Sequence, residues 1–149
     1  MIEEIVRGIS RGLSEHFKDD EIEYTIYDER VEQGLKVPCF FVLCKSYSDE
    51  LYRGKRYRRK AEMSIEYVAD DKRESINKDM NSVIEVLYDI TEVIEAEGNE
   101  LRGIERKVEK NEKGFVFSVN YEYFYYKNED SEKMEILEED IMLKLNKGG

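Results

Sequence analysis

Ile2, Ile5, Val6, Ile9, Leu13 and Phe17 recur every three or four positions, and Glu3, Glu4, Arg7, Arg11 and Glu15 fill the other side. That period predicts an amphipathic helix over residues 2–17, whose apolar stripe must cover a sheet. Asp19 and Asp20 close it into a turn. The period then drops to two at Ile22, Tyr24 and Ile26, a short strand, and Glu32-Gln33-Gly34 interrupts it. From Val37 to Tyr47 the run VPCFFVLCKSY is almost continuously apolar, the mark of a strand buried on both faces for part of its length. Pro38 has no N–H for a ladder and so belongs at the strand's beginning or edge. Ala61, Met63, Ile65 and Tyr67 alternate with Lys60, Glu62, Ser64 and Glu66, a half-exposed strand that pairs with the previous one as a hairpin. The connection, roughly residues 48–56, is longer than the usual two to five, so a flexible extension is expected there.

Ile76, Met80, Val83, Ile84, Leu87, Ile90, Thr91 and Ile94 return to helical spacing, predicting a helix over residues 74–97 that stops before Gly98-Asn99. Leu101 to Glu109 alternates weakly and Lys110 to Gly114 reads as a turn. Phe115, Phe117, Val119, Tyr121, Tyr123 and Tyr125 then keep one parity for eleven residues. Such a strand extends about 36 Å, and its far end needs a cover, a bulge or a bend. Its tyrosines could stack bases, but alternate aromatics are first what a half-buried sheet requires. The tail MEILEEDIMLKLNKGG suggests a short turn followed by a strand at Ile141, Leu143 and Leu145. The expected order is αβββαββ with a possible final strand. It describes an α+β domain with two helices on one face of an antiparallel or mixed sheet. No repeat, linker or second composition appears, so residues 1–149 are expected to be one domain with a projecting hairpin tip at about 48–60.

Charge adds the most distinctive feature. The chain carries a net charge of −11 and equal shares, 40%, of hydrophobic and charged residues, a folded rather than disordered composition. Within it Arg53, Lys55, Arg56, Arg58, Arg59 and Lys60 form a compact basic block, and removing them leaves about −17 for everything else. A block like this at a hairpin tip can meet nucleic acid, another protein or an acidic neighbouring copy. A solvated loop with no partner is the bland alternative. A sequence pI near 4.8 argues against general nucleic-acid binding and confines any DNA contact to the tip.

Chemistry-bearing patterns are missing. Cys39 and Cys44 lie five residues apart in one predicted strand, about 16 Å, beyond the ~7 Å limit for a disulfide, and read as small buried residues. His16, the only histidine, borders the first helix's stripe and reads as a packing residue, which leaves no zinc spacing and no triad. Gly8 and Gly12 lie within a helix rather than in a phosphate loop, and acidic pairs carry no information among 35 acidic residues. The expectation is no enzyme, no cofactor and no metal. No apolar run approaches ~18 residues and MIEEIVRG is not a signal peptide, so no membrane contact and an intracellular protein are expected.

YDERVEQGLKVPCFF, from Tyr27 to Phe41, resembles the phage tail terminator proteins of prophage tail and contractile-tailocin clusters. Gly54, Arg56, Tyr57 and Arg58 ahead of the strand with Ile65 and Tyr67, and Met134, Glu135 and Leu137 near the end, extend the resemblance over most of the chain. It implies a protein that assembles, commonly as a hexameric ring, on the head-proximal end of a tail tube inside the bacterial host. There it stops tube polymerisation, caps the sheath of a contractile tail and, where a head exists, forms the joint to it. The implied partners are further copies of the chain and the tube and sheath proteins, with possible DNA contact in the lumen. Overlong hairpins and segregated charge suit heterologous contacts between copies. Reversing Arg56, Arg58 and Arg59 to Glu is accordingly expected to weaken assembly and leave the fold intact.

Overall fold

Helix α1 (Ile2–Phe17) forms where the 3.6-residue period places it, burying Ile5, Val6, Ile9 and Leu13. Glu3 and Glu4 in its first turn complement the positive end of the helix dipole. The structure is a computed structural model that describes residues 1–74 and 76–127. Strand β1 (Thr25–Tyr27) is followed by β2 (Cys39–Arg53) and β3 (Arg56–Val68), helix α2 (Ile76–Ile90), and strands β4 (Val93–Ala96), β5 (Asn99–Arg102), β6 (Ile104–Lys110) and β7 (Gly114–Tyr126). Two compact units are built from this order: Met1–Ser46 with Ala61–Tyr121, and Tyr47–Lys60 with the chain from Glu122 onward.

The main sheet runs β1-β2-β3-β7-β6, and β4-β5 form a separate two-stranded sheet. β1 lies parallel to β2, with Thr25 opposite Cys39 and Tyr27 opposite Phe41, whereas β6 and β7 are antiparallel. Ala69 N–H, just after β3, donates to Lys113 C=O, just before β7, at 2.9 Å, so that pair is antiparallel too. The sheet is therefore mixed and the class is α+β, as the period changes predict. Cys39, Phe40, Phe41 and Val42 are all buried, which explains the uninterrupted apolar run at that point.

In the first unit both helices cover the same sheet face. Phe17 of α1 stacks 5.9 Å from Phe40, and Tyr88 of α2 meets Phe117 edge-on at 4.8 Å. Between them Phe40, Tyr67 and Phe115 form a row across β2, β3 and β7 at 5.1 Å per step. Phe115, Phe117, Val119 and Tyr121 are 0% exposed, so that length of the stripe is core. Gly8 lets α1 approach β4 closely: a Cβ there would lie 3.0 Å from the Glu95 carbonyl.

Three expectations are corrected. The second helix stops at Ile90, not 97, and the element order gains the β4–β5 pair and becomes αβββαββββ over the described residues. Ile94 and Ala96 still face inward, but from a strand, so a spacing that matches a helix also satisfied a period of two. The helix end is held by one local bond and two tertiary ones. Thr91 Oγ1 donates to Leu87 O at 2.6 Å, Arg106 Nη1 to Tyr88 O at 2.6 Å, and Tyr121 Oη to Thr91 O at 3.0 Å. Arg106 and Tyr121 satisfy carbonyls at the helix end that a local sequence window cannot account for. The following hairpin turns on Glu97 and Gly98, both at positive φ (52° and 78°), as a two-residue reversal requires.

The weakly alternating stretch from Leu101 is not one strand: Gly103 divides β5 from β6, and β6 carries a register shift between Ile104 and Lys107 with Glu105 at φ 54°. Nor is 48–56 a flexible connection. β2 and β3 run on to Arg53 and from Arg56, so only Gly54 and Lys55 turn the chain, with Gly54 at φ 58°. Backbone ladders are indifferent to the polarity of the side chains along them, which is why SDELYR could be misread as loop. The expected final strand at Ile141–Leu145 lies outside the described residues.

β2 changes face along its length. Arg30 sits 5.9 Å from the Phe41 ring and pairs with Glu66 at 2.6 Å, while Ser46 Oγ donates to Glu62 at 2.8 Å. Glu62 and Glu66 share one side of β3, so Phe41 and Ser46 share a face although they are five residues apart. Strict alternation would oppose them. The one-residue slip is what a β-bulge introduces, and Cys44 Sγ, 3.4 Å from Ser46 O, lies within it.

Candidate interaction surface

Strand alternation splits the basic block in two. Tyr57 and Arg59 continue the parity of Ala61, Met63 and Ile65, whereas Arg56, Arg58 and Lys60 take the other side of β3. The consequences differ for each residue.

Arg59 is held in a tyrosine cage within the second unit. Its guanidinium lies 3.9 Å above the Tyr125 ring and 5.8 Å from that of Tyr47. Nη2 donates to Tyr125 Oη at 2.7 Å, and Nη1 reaches Tyr47 Oη at 3.4 Å. Nε comes within 3.3 Å of Asp49 Oδ1 without the alignment of a hydrogen bond. The Tyr47 and Tyr123 hydroxyls bond to each other. Burial opposes the Arg59 charge, but the hydroxyls of Tyr47, Tyr123 and Tyr125 more than offset it, and its pKa rises above the ordinary value. Burial first, then the bond to Tyr47, pushes Tyr123 well above the usual tyrosine range.

Arg58 is largely neutralised, donating to Glu50 at 2.8 Å with Glu122 at 3.9 Å. Arg56 instead stacks on aromatics, 4.2 Å from the Phe124 centroid and 5.5 Å from that of Tyr52, whose rings meet edge-on at 5.1 Å. Its Nε is buried without a hydrogen-bond partner. Arg53 is exposed at the end of β2, while Lys55 and Lys60 are half-buried. Reversal of the three arginines is therefore not one perturbation: Arg59 is half-buried against Tyr47 and Tyr125, so its replacement is expected to disturb the local fold that the tip was expected to retain.

Beside Arg56 lie side chains that charge reasoning overlooked. Tyr52 is 55% exposed, Phe124 43% and Tyr126 57%, and with Leu51 at 58% they are four of the six large hydrophobic side chains most exposed among the described residues. Phe124 and Tyr126 occupy the parity opposite the core stripe of β7, where a one-sided strand carries polar residues. That inversion was present in the sequence as a signal. Over its described residues the second unit has seven basic and three acidic side chains, net +4, against fourteen and twenty-five, net −11, in the first.

The sheet face away from the helices has a shallow open trough of about 540 Å³ lined by Arg30, Lys45, Ser64, Glu66, Lys107 and Ser118, but its Arg30 and Glu66 are already paired. Among the described residues no group of three or more His, Cys, Asp or Glu could hold a metal, and no helix is long and apolar enough to cross a membrane. Cys39 and Cys44 are free, and burial pushes the Cys39 thiol up to about 11. His16 is exposed in the last turn of α1, with its ring 5.0 Å from that of its neighbour Phe17.

The family model described as phage tail terminator protein matches residues 4–133. The chain belongs to the phage tail terminator family. No curated protein matches it. The family match takes in nearly all of α1 and every later described element, so terminator membership extends over both units and not only over the patches from Tyr27 to Phe41 and around Gly54. A terminator is a structural component of tail assembly, and a surface for other tail proteins is what this chain must present. The exposed aromatic and arginine side chains of its second unit have that chemistry.

Proposed function

We propose that this protein closes a growing tail: copies assemble as a ring, of six subunits, on the head-proximal end of a phage or tailocin tail tube and stop polymerisation of tube and sheath. The reading places assembly in the bacterial host cytoplasm and requires no catalysis and no cofactor. Family membership supports the role in tail assembly. The observation that carries the self-assembly is the exposed Tyr52–Arg56–Phe124 cluster on a unit whose described residues carry net +4, in a chain whose other unit has net −11. Large exposed aromatics beside a desolvated arginine are typical anchors of protein interfaces. Arg53, Lys55, Arg56, Arg58 and Lys60 act in this reading as the charged setting of the anchor, and Arg59 as its internal support.

Mass measurement in solution, alone and with tube protein, together with electron microscopy of capped tubes, tests the proposal. Rings at one end of tubes of uniform length are expected. A strict monomer that never occupies tube ends would overturn it. The same described residues, net +4 and with aromatics available for stacking, favour a second reading in which the tip also touches DNA. Short duplexes binding at low salt, with affinity falling steeply as salt rises, support that reading, and an absence of binding at low ionic strength removes it.

A further inference from the structure

The small sheet of the first unit carries features complementary to the aromatic cluster. On its outward side Val93 pairs with Arg102 and Glu95 pairs with Glu100. Two carboxylates directly opposite each other on neighbouring strands repel, an arrangement that destabilises an isolated hairpin. The nearby cations are engaged by other acids, with Arg102 of β5 3.6 Å from Glu92 and the Met1 amino group, at the start of α1, 3.6 Å from Glu97. Glu95 and Glu100 are left facing each other beside Val93, which is 40% exposed. The first unit's other exposed large hydrophobic, Val37, adjoins Lys36 and has no such acidic setting.

We infer that the Tyr52–Arg56–Phe124 face of one copy docks on the outward β4–β5 surface of a second copy. Arg56 meets Glu95 and Glu100, and Val93 packs on the aromatic pair. This rests on the self-assembly reading above and names its contact. The occupant follows from charge. The described residues of the second unit carry net +4, so the Arg56 faces of two copies repel each other and a symmetric tip-to-tip contact is disfavoured, whereas the Glu95–Glu100 surface of another copy attracts Arg56. Different patches meeting in this way make a heterologous contact, the kind that propagates around a ring. The aromatic edge supplies apolar area, and the carboxylates bring a counter-charge to Arg56, whose guanidinium stacks on rings and pairs with no carboxylate among the described residues.

Charge exchange tests the contact. Arg56→Glu and the double variant Glu95→Arg/Glu100→Arg are each expected to weaken self-assembly, read by mass photometry and by tube-end occupancy in micrographs, by ~10-fold or more. The triple variant carrying all three changes is expected to recover most of the loss, with circular dichroism verifying the fold of each. Val93→Lys, at an exposed site that tolerates substitution, should weaken assembly as the double variant does. Unchanged assembly in the Glu95→Arg/Glu100→Arg or Val93→Lys protein, or a triple variant no better than its parts, overturns the contact. So does a loss of duplex DNA binding in Arg56→Glu with assembly intact, which would assign the surface to nucleic acid. Failure of the wild-type chain to associate at all overturns the ring reading itself, whereas wild-type assembly indifferent to these changes removes only this contact.

Discussion

Arg59 illustrates how little a charge says until its neighbours are known. It is one of six cations in a block, yet it is the one enclosed by Tyr47, Tyr125 and Asp49. Arg59→Ala removes a stacked cation and leaves hydroxyls without a donor, so a loss of about 1–3 kcal/mol in stability is expected, with faster amide exchange at Tyr123 and Tyr125. Arg53→Ala, exposed at the strand end, should stay within about 0.5 kcal/mol in the same denaturant titration. Tyr121 makes a second residue-scale case. Burial keeps its phenol neutral and raises its pKa, while its hydroxyl donates to Thr91 O. The folded chain thus retains a proton that the unfolded chain releases above ~10, so this contribution is complete below that pH and is lost as pH rises toward the folded-state value. Unfolding midpoints should fall through that alkaline window, and Tyr121→Phe should show a shallower fall together with a loss of about 1 kcal/mol at neutral pH.

Elements were legible where one face is buried by its own periodicity. α1, the apolar start of β2 and the stripe from Phe115 to Tyr121 follow from spacing alone, because burying one side of a helix or strand imposes a period of 3.6 or 2. The end of α2 was not legible, since Arg106 and Tyr121, distant in sequence, satisfy the turn around Thr91. The hairpin after it depends on Glu97 and Gly98 at positive φ. Glu97 is a poor residue for φ 52°, and asparagine or glycine relieves it, so Glu97→Asn should raise the melting temperature, reflecting roughly 0.5–1 kcal/mol. Gly98→Ala, at φ 78°, should lower it by about 1 kcal/mol. Calorimetry on the pair separates backbone strain from the loss of the exposed Met1–Glu97 contact, which only the first change removes.

Among the described residues the charge is divided, −11 in one unit against +4 in the other. If copies join through that division, assembly must weaken with salt, because exposed charges separated by more than the ~10 Å Debye length at 0.1 M are screened. The aromatic anchors are indifferent to screening, so the salt dependence should level off rather than abolish association, and Tyr52→Ala should remove the residual part. Sedimentation at rising salt checks both.

Amino-acid order alone determined the α+β class, the two helices on one face, the family, and the presence of a basic device in an acidic chain, since all of these follow from local period, composition and short motifs. Tertiary structure decided where α2 ends, that residues 48–56 extend two strands to a turn at Gly54-Lys55, and that Arg59 is enclosed while Arg56 is stacked beside exposed Tyr52 and Phe124. It also set Glu95 opposite Glu100. Those outcomes depend on strand register and on partners far apart in the chain, and a one-residue slip such as the one between Phe41 and Ser46 exchanges every facing side chain beyond it.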